Sequence, residues 1–500
     1  MSLDRYTFRI NTDERHQLVR DFGQSACWWG SGIGTTDKAR KVLRLLHTKD
    51  GLDLNVIRLN VGGSVKDDRS DAPYPEDSLS RRAPLSPLSE DGTYDLHRDG
   101  GMLSVAREAL KLGTIDDFTI FMNTPPSCMT KSGMTCANEP EGEEKYVSNL
   151  APERYQDYAD YVADVTALYL DEGIPVKYVS PINEPQWQWD RNNRQEGCHY
   201  EADEVIAFLR IAVATFARRA ETDPRFKSVR ISMPETAQWY YPRTHAFGLY
   251  QAMCDDPLLR KHADHFAAHS YGTNAAHKRE FREFTESLGS PFPLHQTEWG
   301  PLHADCSHPM EFALELANCM YEDLTILDVP HWTWWTGLAG TSYPSGLIDE
   351  DPDGESLILT KRYYVMMHHS RFIRGCTRIG VSGDAADTAS SPDKLPEEAK
   401  AAWDTIAEKK WEKVASSAYI SEDGERIEVI MINNQAETAA LSLILPEGFD
   451  GSGRLFLTDA GHDCADMGAA DASDISLPPL SVATFELKKR NKNFLRGDNK

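Results

Sequence analysis

V-K-Y-V-S-P-I-N-E-P-Q-W-Q-W-D-R-N-N-R-Q-E-G-C-H-Y, residues 176–200, decides how the rest of the chain is read. It opens with a short apolar, β-branched run, turns polar at Asn183-Glu184-Pro185 and continues into a loop of Trp, Gln, Glu and Asn. Such a run is buried on both faces of a parallel sheet, and its end is where a barrel or a doubly wound sheet places its chemistry. Glu184 therefore stands where a catalytic acid would stand.

Outward from this stretch one rhythm repeats, an apolar strand followed by an amphipathic helix. Strands are expected at 20–27, 55–62, 117–124, 176–183, 228–234, 265–271, 293–298 and 330–335. Helices are expected at 36–47, 99–112, 152–172, 201–220, 244–262, 277–288, 310–328 and 361–373. In the third helix Pro152 suits a first helical position, Tyr155, Tyr158, Val162, Val165 and Tyr169 recur every three or four residues, and Gly173 ends it. Eight strands alternating with eight helices predict a (β/α)8 barrel, an α/β fold, over residues 19–375. The competing doubly wound sheet would want a Gly-rich phosphate turn, and Gly30-Ser31-Gly32-Ile33-Gly34 lacks the G-x-G-x-x-G spacing.

Beyond residue 375 the rhythm changes. Residues 380–412 read as a surface insertion with a short helix at Ala399–Lys409. Short alternating runs at 427–433, 440–445, 453–458 and 481–487 then predict a small antiparallel β-sandwich. Residues 1–18 alternate through Tyr6, Phe8 and Ile10 as an exposed strand would, so this side domain is expected to combine residues 1–18 with 376–490. Residues 491–500 read as a frayed tail.

The net charge of -25, from 53 basic and 78 acidic residues, repels phosphate backbones and anionic lipid, so neither nucleic acid nor membrane is an expected partner. Nine cysteines without C-x-x-C pairs are expected to be mostly reduced, buried thiols. Met-Ser-Leu-Asp-Arg-Tyr has no apolar core of a signal peptide, and a cytoplasmic location is the expectation for the chain as given.

The residues at the ends of the expected strands form a consistent set: Trp28 and Trp29; Arg58 and Asn60; Asn123; Asn183, Glu184 and Trp187; Glu235 and Trp239; His269 and Tyr271; Glu298 and Trp299; Trp332, Trp334 and Trp335. Flat indole faces suit sugar CH faces, while Asn, Gln, His and Arg meet hydroxyls. The alternative is that the tryptophans plug the barrel top. Strands four and seven lie on opposite sides of an eight-membered ring, so Glu184 and Glu298 can face one another, as glycosidic bond cleavage requires. Glu196 and Glu235 read as either sugar ligands or ion-pair partners. His269 reads as either a packed core residue or a group in contact with substrate.

Together these segments resemble glycoside hydrolase family 30. The resemblance rests on Asp21-Phe22-Gly23-Gln24-Ser25-Ala26-Cys27-Trp28-Trp29, Arg58-Leu59-Asn60-Val61-Gly62-Gly63, Asn123-Thr124-Pro125-Pro126, Ser180-Pro181-Ile182-Asn183-Glu184-Pro185 and Thr297-Glu298-Trp299-Gly300. Thr360–Tyr364, Ser370–Arg374 and Pro478–Val482 extend it along nearly the whole chain. It implies a retaining β-glycosidase with a β-sandwich built from both chain ends, Glu184 as general acid/base, Glu298 as nucleophile, and Asn183 on the sugar 2-hydroxyl. It also implies that Arg58 and Tyr271 hold the nucleophile ionised and oriented, and no cofactor is expected. Trp29, Asn123, Trp187, Glu196, Glu235, His269, Trp299 and Trp335 complete the expected substrate-binding set.

Cys27-Trp28-Trp29 and Gln195-Glu196-Gly197-Cys198 resemble the β-1,6-galactanase branch most, with xylan-cleaving branches as rivals. The expected substrate is a β-linked oligosaccharide, imported if the enzyme is cytoplasmic. A non-catalytic carbohydrate-binding protein would explain the tryptophans but has no use for two opposed glutamates. A metal-dependent hydrolase would need a ligand cluster, and His303, Cys306 and His308 crowd one loop, so no metal is expected.

Overall fold

The computed structural model describes residues 5–73, 78–79, 82–139, 147–301, 309–383 and 411–490. The short helix expected at 399–409, the tail at 491–500, and His303, Cys306 and His308 lie outside the described residues. The chain forms two compact units, taken over their described residues: Asp21–Ala304 with His331–Ile358, and Met1–Arg20 with Asp305–Pro330 and Leu359–Lys500.

The first unit is a curled parallel sheet flanked by helices. Its strands are Asp21–Ser25, Val56–Val61, Asp117–Met122, Val176–Ser180, Arg230–Ile231 with Pro234–Thr236, Phe266–Ala268, Leu294–Gln296 and His331–Trp334. All eight positions expected from the rhythm are occupied. The second and third strands are buried at every residue because the sheet is covered on both faces. They pair in unbroken register from Val56 opposite Asp117 to Val61 opposite Met122.

The fifth strand is broken, and the break is physical. Arg230–Ile231 pairs with the fourth strand and Pro234–Thr236 with the sixth, so the two pieces sit at opposite ends of the strand order and together close the ring. Pro234 has no N–H to donate, which interrupts the ladder between the pieces. Glu235 follows it with φ of +57°, a left-handed conformation that a side chain other than glycine adopts only when its surroundings hold it there.

The helices follow the same logic. Tyr155–Asp171 buries Tyr155, Tyr158, Val162, Val165 and Tyr169, and Gly173 beyond it takes φ of +78°. The single helix expected over 244–262 is two, Arg243–Asp255 and Pro257–His262, because Pro257 restarts the helix and the Asp256 carboxylate accepts from the Leu258 and Leu259 N–H groups.

In the second unit a nine-stranded sheet wraps around one apolar core. Its long strand Arg5–Leu18 pairs antiparallel with Cys376–Gly383 on one side and parallel with Ala439–Ile444 on the other. The β domain is thus built from both chain ends, as expected, but its sheet is mixed rather than purely antiparallel. The parallel pairing follows from where the first strand enters the sheet. The helices Pro309–Thr325 and Lys361–Ser370 group with this unit. Among the described residues no helix is long and apolar enough to cross a membrane.

Candidate active site

Glu184 and Glu298 lie just past the C-terminal ends of the fourth and seventh barrel strands, the end at which barrels carry their chemistry. Both are buried, 7% and 4% exposed. One donor atom each from Glu184, His269 and Glu298 lie within 4.8 Å of one another. One oxygen of each carboxylate thus comes within 4.8 Å of the other, in keeping with the roughly 5–5.5 Å separation of a retaining pair.

Each carboxylate has a distinct set of partners. Arg58, pointing inward from the second strand, donates from Nη1 to Glu298 Oε2 at 2.8 Å, and Tyr271 donates from its hydroxyl to Oε1 at 3.1 Å. The Arg58 guanidinium also lies 4.2 Å from the Phe121 ring centroid, so the buried cation is packed as well as paired. Glu184 instead meets His269, whose Nδ1 is 2.9 Å from Glu184 Oε1 and 3.6 Å from Glu298 Oε1. The other ring nitrogen, Nε2, lies 3.3 Å from Glu235 Oε2.

Burial raises the pKa of Glu184, and the nearby charge of His269 only partly offsets it. Burial would push His269 down, but Glu298, Glu184 and Glu235 around it outweigh that and hold its pKa up at about 10. Burial acts on Glu235 too, yet His269, Arg58 and Thr297 keep its carboxyl well below the usual range. Burial and the Glu298 charge push the Tyr271 hydroxyl well up, so it stays a donor. The site thus combines a carboxyl able to hold a proton, a carboxylate braced by a guanidinium, and a cationic ring between them.

Glu184 takes φ of +47°, and its N–H donates to the Glu235 carbonyl at 2.8 Å. Backbone in this region clusters at sites where position matters more than comfort.

The other expected residues divide into groups. Asn123 is buried and neither of its amide atoms has a protein partner among the described residues; the same holds for Asn60 and for Asn183 Oδ1. Buried amides are normally paired, so these atoms are available to hydroxyls. Trp299 is buried and stacks edge-on to Trp334, and Trp335, partly exposed, receives an edge from Trp28 with centroids 5.3 Å apart. Trp187 is partly exposed in the loop after Glu184. Trp29 is fully buried and donates its indole N–H to the Ser25 carbonyl, whereas its neighbour Trp28 joins Cys27, Phe121 and Trp335 in one cluster.

Of the two readings left open for Glu235, the structure gives the ion-pair one. It is fully buried, and its oxygens are held by Ser232 at 2.7 Å, Thr297 at 2.5 Å and His269. Glu196 is buried with Oε1 accepting from the Gly63 N–H at 3.2 Å, and burial raises its pKa to about 8.

Sequence reasoning missed a layer of the barrel interior. His265, His295 and His331 form a stack with centroids 4.1 and 4.8 Å apart, lining, with Arg58, Ser232 and Glu235, a small closed cavity. The seventh and eighth strands carry histidines in register, His295 opposite His331, whereas His265 lies just before the sixth strand, two residues from Ala267, which is the residue opposite His295.

Among the described residues, Glu184, His269 and Glu298 are the donors close enough to gather around a cation. Both ring nitrogens of His269 are already engaged, Nδ1 by Glu184 and Nε2 by Glu235, so this set reads as acid–base machinery.

A barrel with two closely spaced carboxylates of contrasting environment at its C-terminal mouth defines a glycosidase. The model of O-Glycosyl hydrolase family 30 matches residues 5–247, a span that includes Glu184 and ends before Glu298. That match to glycoside hydrolase family 30 covers just under half of the chain, and the chain is a retaining O-glycosyl hydrolase. Among solved structures it is similar to a conserved exported protein from Bacteroides fragilis, at 22% identity and TM-score 0.77, covering 96% of this chain and 100% of that one. It is similar also to a family 30 endoxylanase from Clostridium papyrosolvens C71, at 17% identity and TM-score 0.65, covering 97% and 100%. An endo-β1,6-glucanase aligns at 17% identity and TM-score 0.64, covering 97% and 94%. No curated protein matches the chain.

Proposed function

We propose that Glu184 is the general acid/base and Glu298 the nucleophile in hydrolysis of a neutral β-linked oligosaccharide, with β-1,6-galacto-oligosaccharides as the preferred substrate. Glu298 attacks the anomeric carbon while Glu184 gives its proton to the departing oxygen, leaving a glycosyl ester on Glu298. Glu184, now a carboxylate, takes a proton from water, whose oxygen attacks the same carbon and releases the sugar with its β configuration retained. Arg58 and Tyr271, one on each oxygen, hold Glu298 in place for attack. Asn183 holds the 2-hydroxyl.

The observation that carries the neutral substrate is electrostatic. Glu184, Glu196, Glu235 and Glu298 are all buried around the mouth and interior, and Arg58, their buried guanidinium, is already committed to Glu298. A uronic acid substituent would find the two cationic groups of the site, Arg58 and His269, already paired to Glu298, Glu184 and Glu235. The galactan preference is supported by the likeness of Cys27-Trp28-Trp29 and the Gln195–Cys198 loop to that branch.

A panel of β-1,6-galactan, β-1,4-xylan and β-1,6-glucan oligosaccharides ranks the substrates by kcat/KM. Galacto-oligosaccharides lead if the proposal holds; xylo-oligosaccharides in first place would return the chain to the xylan-cleaving reading.

A further inference from the structure

Double displacement uses two carboxylates, yet this barrel buries a third, Glu235, one imidazole away from the acid/base. A carboxylate only accepts hydrogen bonds, so a ring with a carboxyl group at each nitrogen is fixed as a double donor or takes a proton from one neighbour. His269 is such a ring, with Glu184 at Nδ1 and Glu235 at Nε2. The contacts continue away from the mouth. Ser232 donates to Glu235 Oε1 at 2.7 Å and lies 3.0 Å from His265 Nε2, and His265 Nδ1 lies 2.6 Å from the half-exposed Asp264.

We propose that Glu235 is a positioning residue for hydrolysis: it fixes the His269 ring against Glu184 and, by its charge, sets the pH at which the Glu184–His269 pair gives up its transferable proton. The inference rests on Glu184 being the acid/base. Three features carry it. Glu235 is fully buried with both oxygens held by the protein, so it is not available to a sugar. Its backbone is left-handed, and its carbonyl receives the Glu184 N–H, so main chain and side chain both join the two glutamates. The break at Pro234 places this residue at the strand five position beside His269, whose N–H donates to the Thr236 carbonyl at 2.7 Å.

The other groups facing the pair are accounted for. Glu298 and its partner Arg58 lie on the nucleophile side, and Tyr271 and Cys27 remain uncharged because burial raises both well up. His265 and Asp264 approach only through Ser232. The sign follows. A negative Glu235 opposes loss of a proton from the pair, so removing its charge moves that loss to lower pH.

Glu235→Gln tests this through the pH profile of kcat/KM on the oligosaccharide that the panel ranks first. The alkaline limb is expected to move down by about one pH unit, so that activity at pH 8 falls about tenfold more than at pH 5, with kcat carrying the loss and KM little changed. Glu235→Asp, which keeps the charge, is expected to return the limb toward its original position. A uniform loss with the limbs in place, or a rise in KM alone, overturns the proposal.

Imidazole-15N NMR of the wild-type protein, with His269 assigned by its loss in His269→Gln, gives a reading even if the Glu235 variants fail to fold. Both ring nitrogens protonated at pH 7.5 is the expected result, and a singly protonated ring overturns it. Glu184→Gln separates the two levels of the argument. If Glu184 is not the acid/base, that variant keeps the wild-type alkaline limb. If only the role of Glu235 is wrong, Glu184→Gln abolishes the limb while Glu235→Gln leaves it unmoved.

Discussion

The barrel and the β unit each bury a core, and the two cores have little in common. The β unit packs Phe8, Ile10, Val429, Met431, Leu441, Phe485 and Leu487 into one cluster of apolar side chains. The barrel buries Arg58, Glu235, His265, His269, His295 and His331 in its interior, where barrels more often pack Val, Ile and Leu. An apolar core stabilises through area removed from water, whereas buried charge costs stability unless every member is paired. The difference shows what each is for. One core holds a fold, and the other holds protons and charges at fixed positions.

Substitutions test that contrast. The largest effect is expected from Glu298→Gln, which removes the proposed nucleophile and should lower kcat on the order of 10⁴-fold with circular dichroism unchanged. A variant retaining a tenth of the activity would mean that chemistry does not depend on this carboxylate. Phe485→Ala, in the fully apolar core, is expected to cost about 3–5 kcal/mol in urea unfolding while kcat per folded molecule stays the same. A large change in kcat there would erase the distinction between the two cores.

The pH dependence sharpens it further. Glu184 must hold its proton to act as an acid, and burial raises its pKa, so activity should persist above the ordinary carboxylate range and fall only as pH rises through the raised value. A kcat/KM profile already falling between pH 4 and 5 would contradict this.

The smallest effect concerns Glu428, which is fully buried in the β unit beside Arg426. Burial raises its pKa from the ordinary 4.5 to about 9, so the fold favours the protonated form. The contribution is complete below the ordinary value and is lost as pH rises toward 9. Glu428→Gln should therefore stabilise the protein by about 1–3 kcal/mol at pH 8 and little at pH 4, as read from unfolding at the two pH values. Equal effects at both would show that this carboxyl is paired well enough to stay ionised.

Much of this architecture was legible because its signals are local. Val56–Val61 and Asp117–Met122 are mostly apolar runs of strand length, and the positions of Glu184 and Glu298 past their strands follow once the rhythm is counted, whereas Arg58, expected at a strand end, lies inside its strand. What was hidden depends on register between strands. The pairing of Arg5–Leu18 with both Cys376–Gly383 and Ala439–Ile444 brings together segments hundreds of residues apart, and nothing in the alternation of Tyr6, Phe8 and Ile10 says which neighbour runs parallel. The histidine stack was hidden for the same reason. His265, His295 and His331 meet only when three neighbouring strands come side by side, and Glu235 meets His269 where the fifth strand is broken.

The central claim is that a glycosyl ester forms on Glu298 in the course of each turnover. Incubation with 2-deoxy-2-fluoro-β-galactosyl and -xylosyl fluorides, followed by peptide mass spectrometry, reads that bond directly. The account predicts one added sugar on the peptide containing Glu298 and none in Glu298→Gln. A label on any other residue would contradict it.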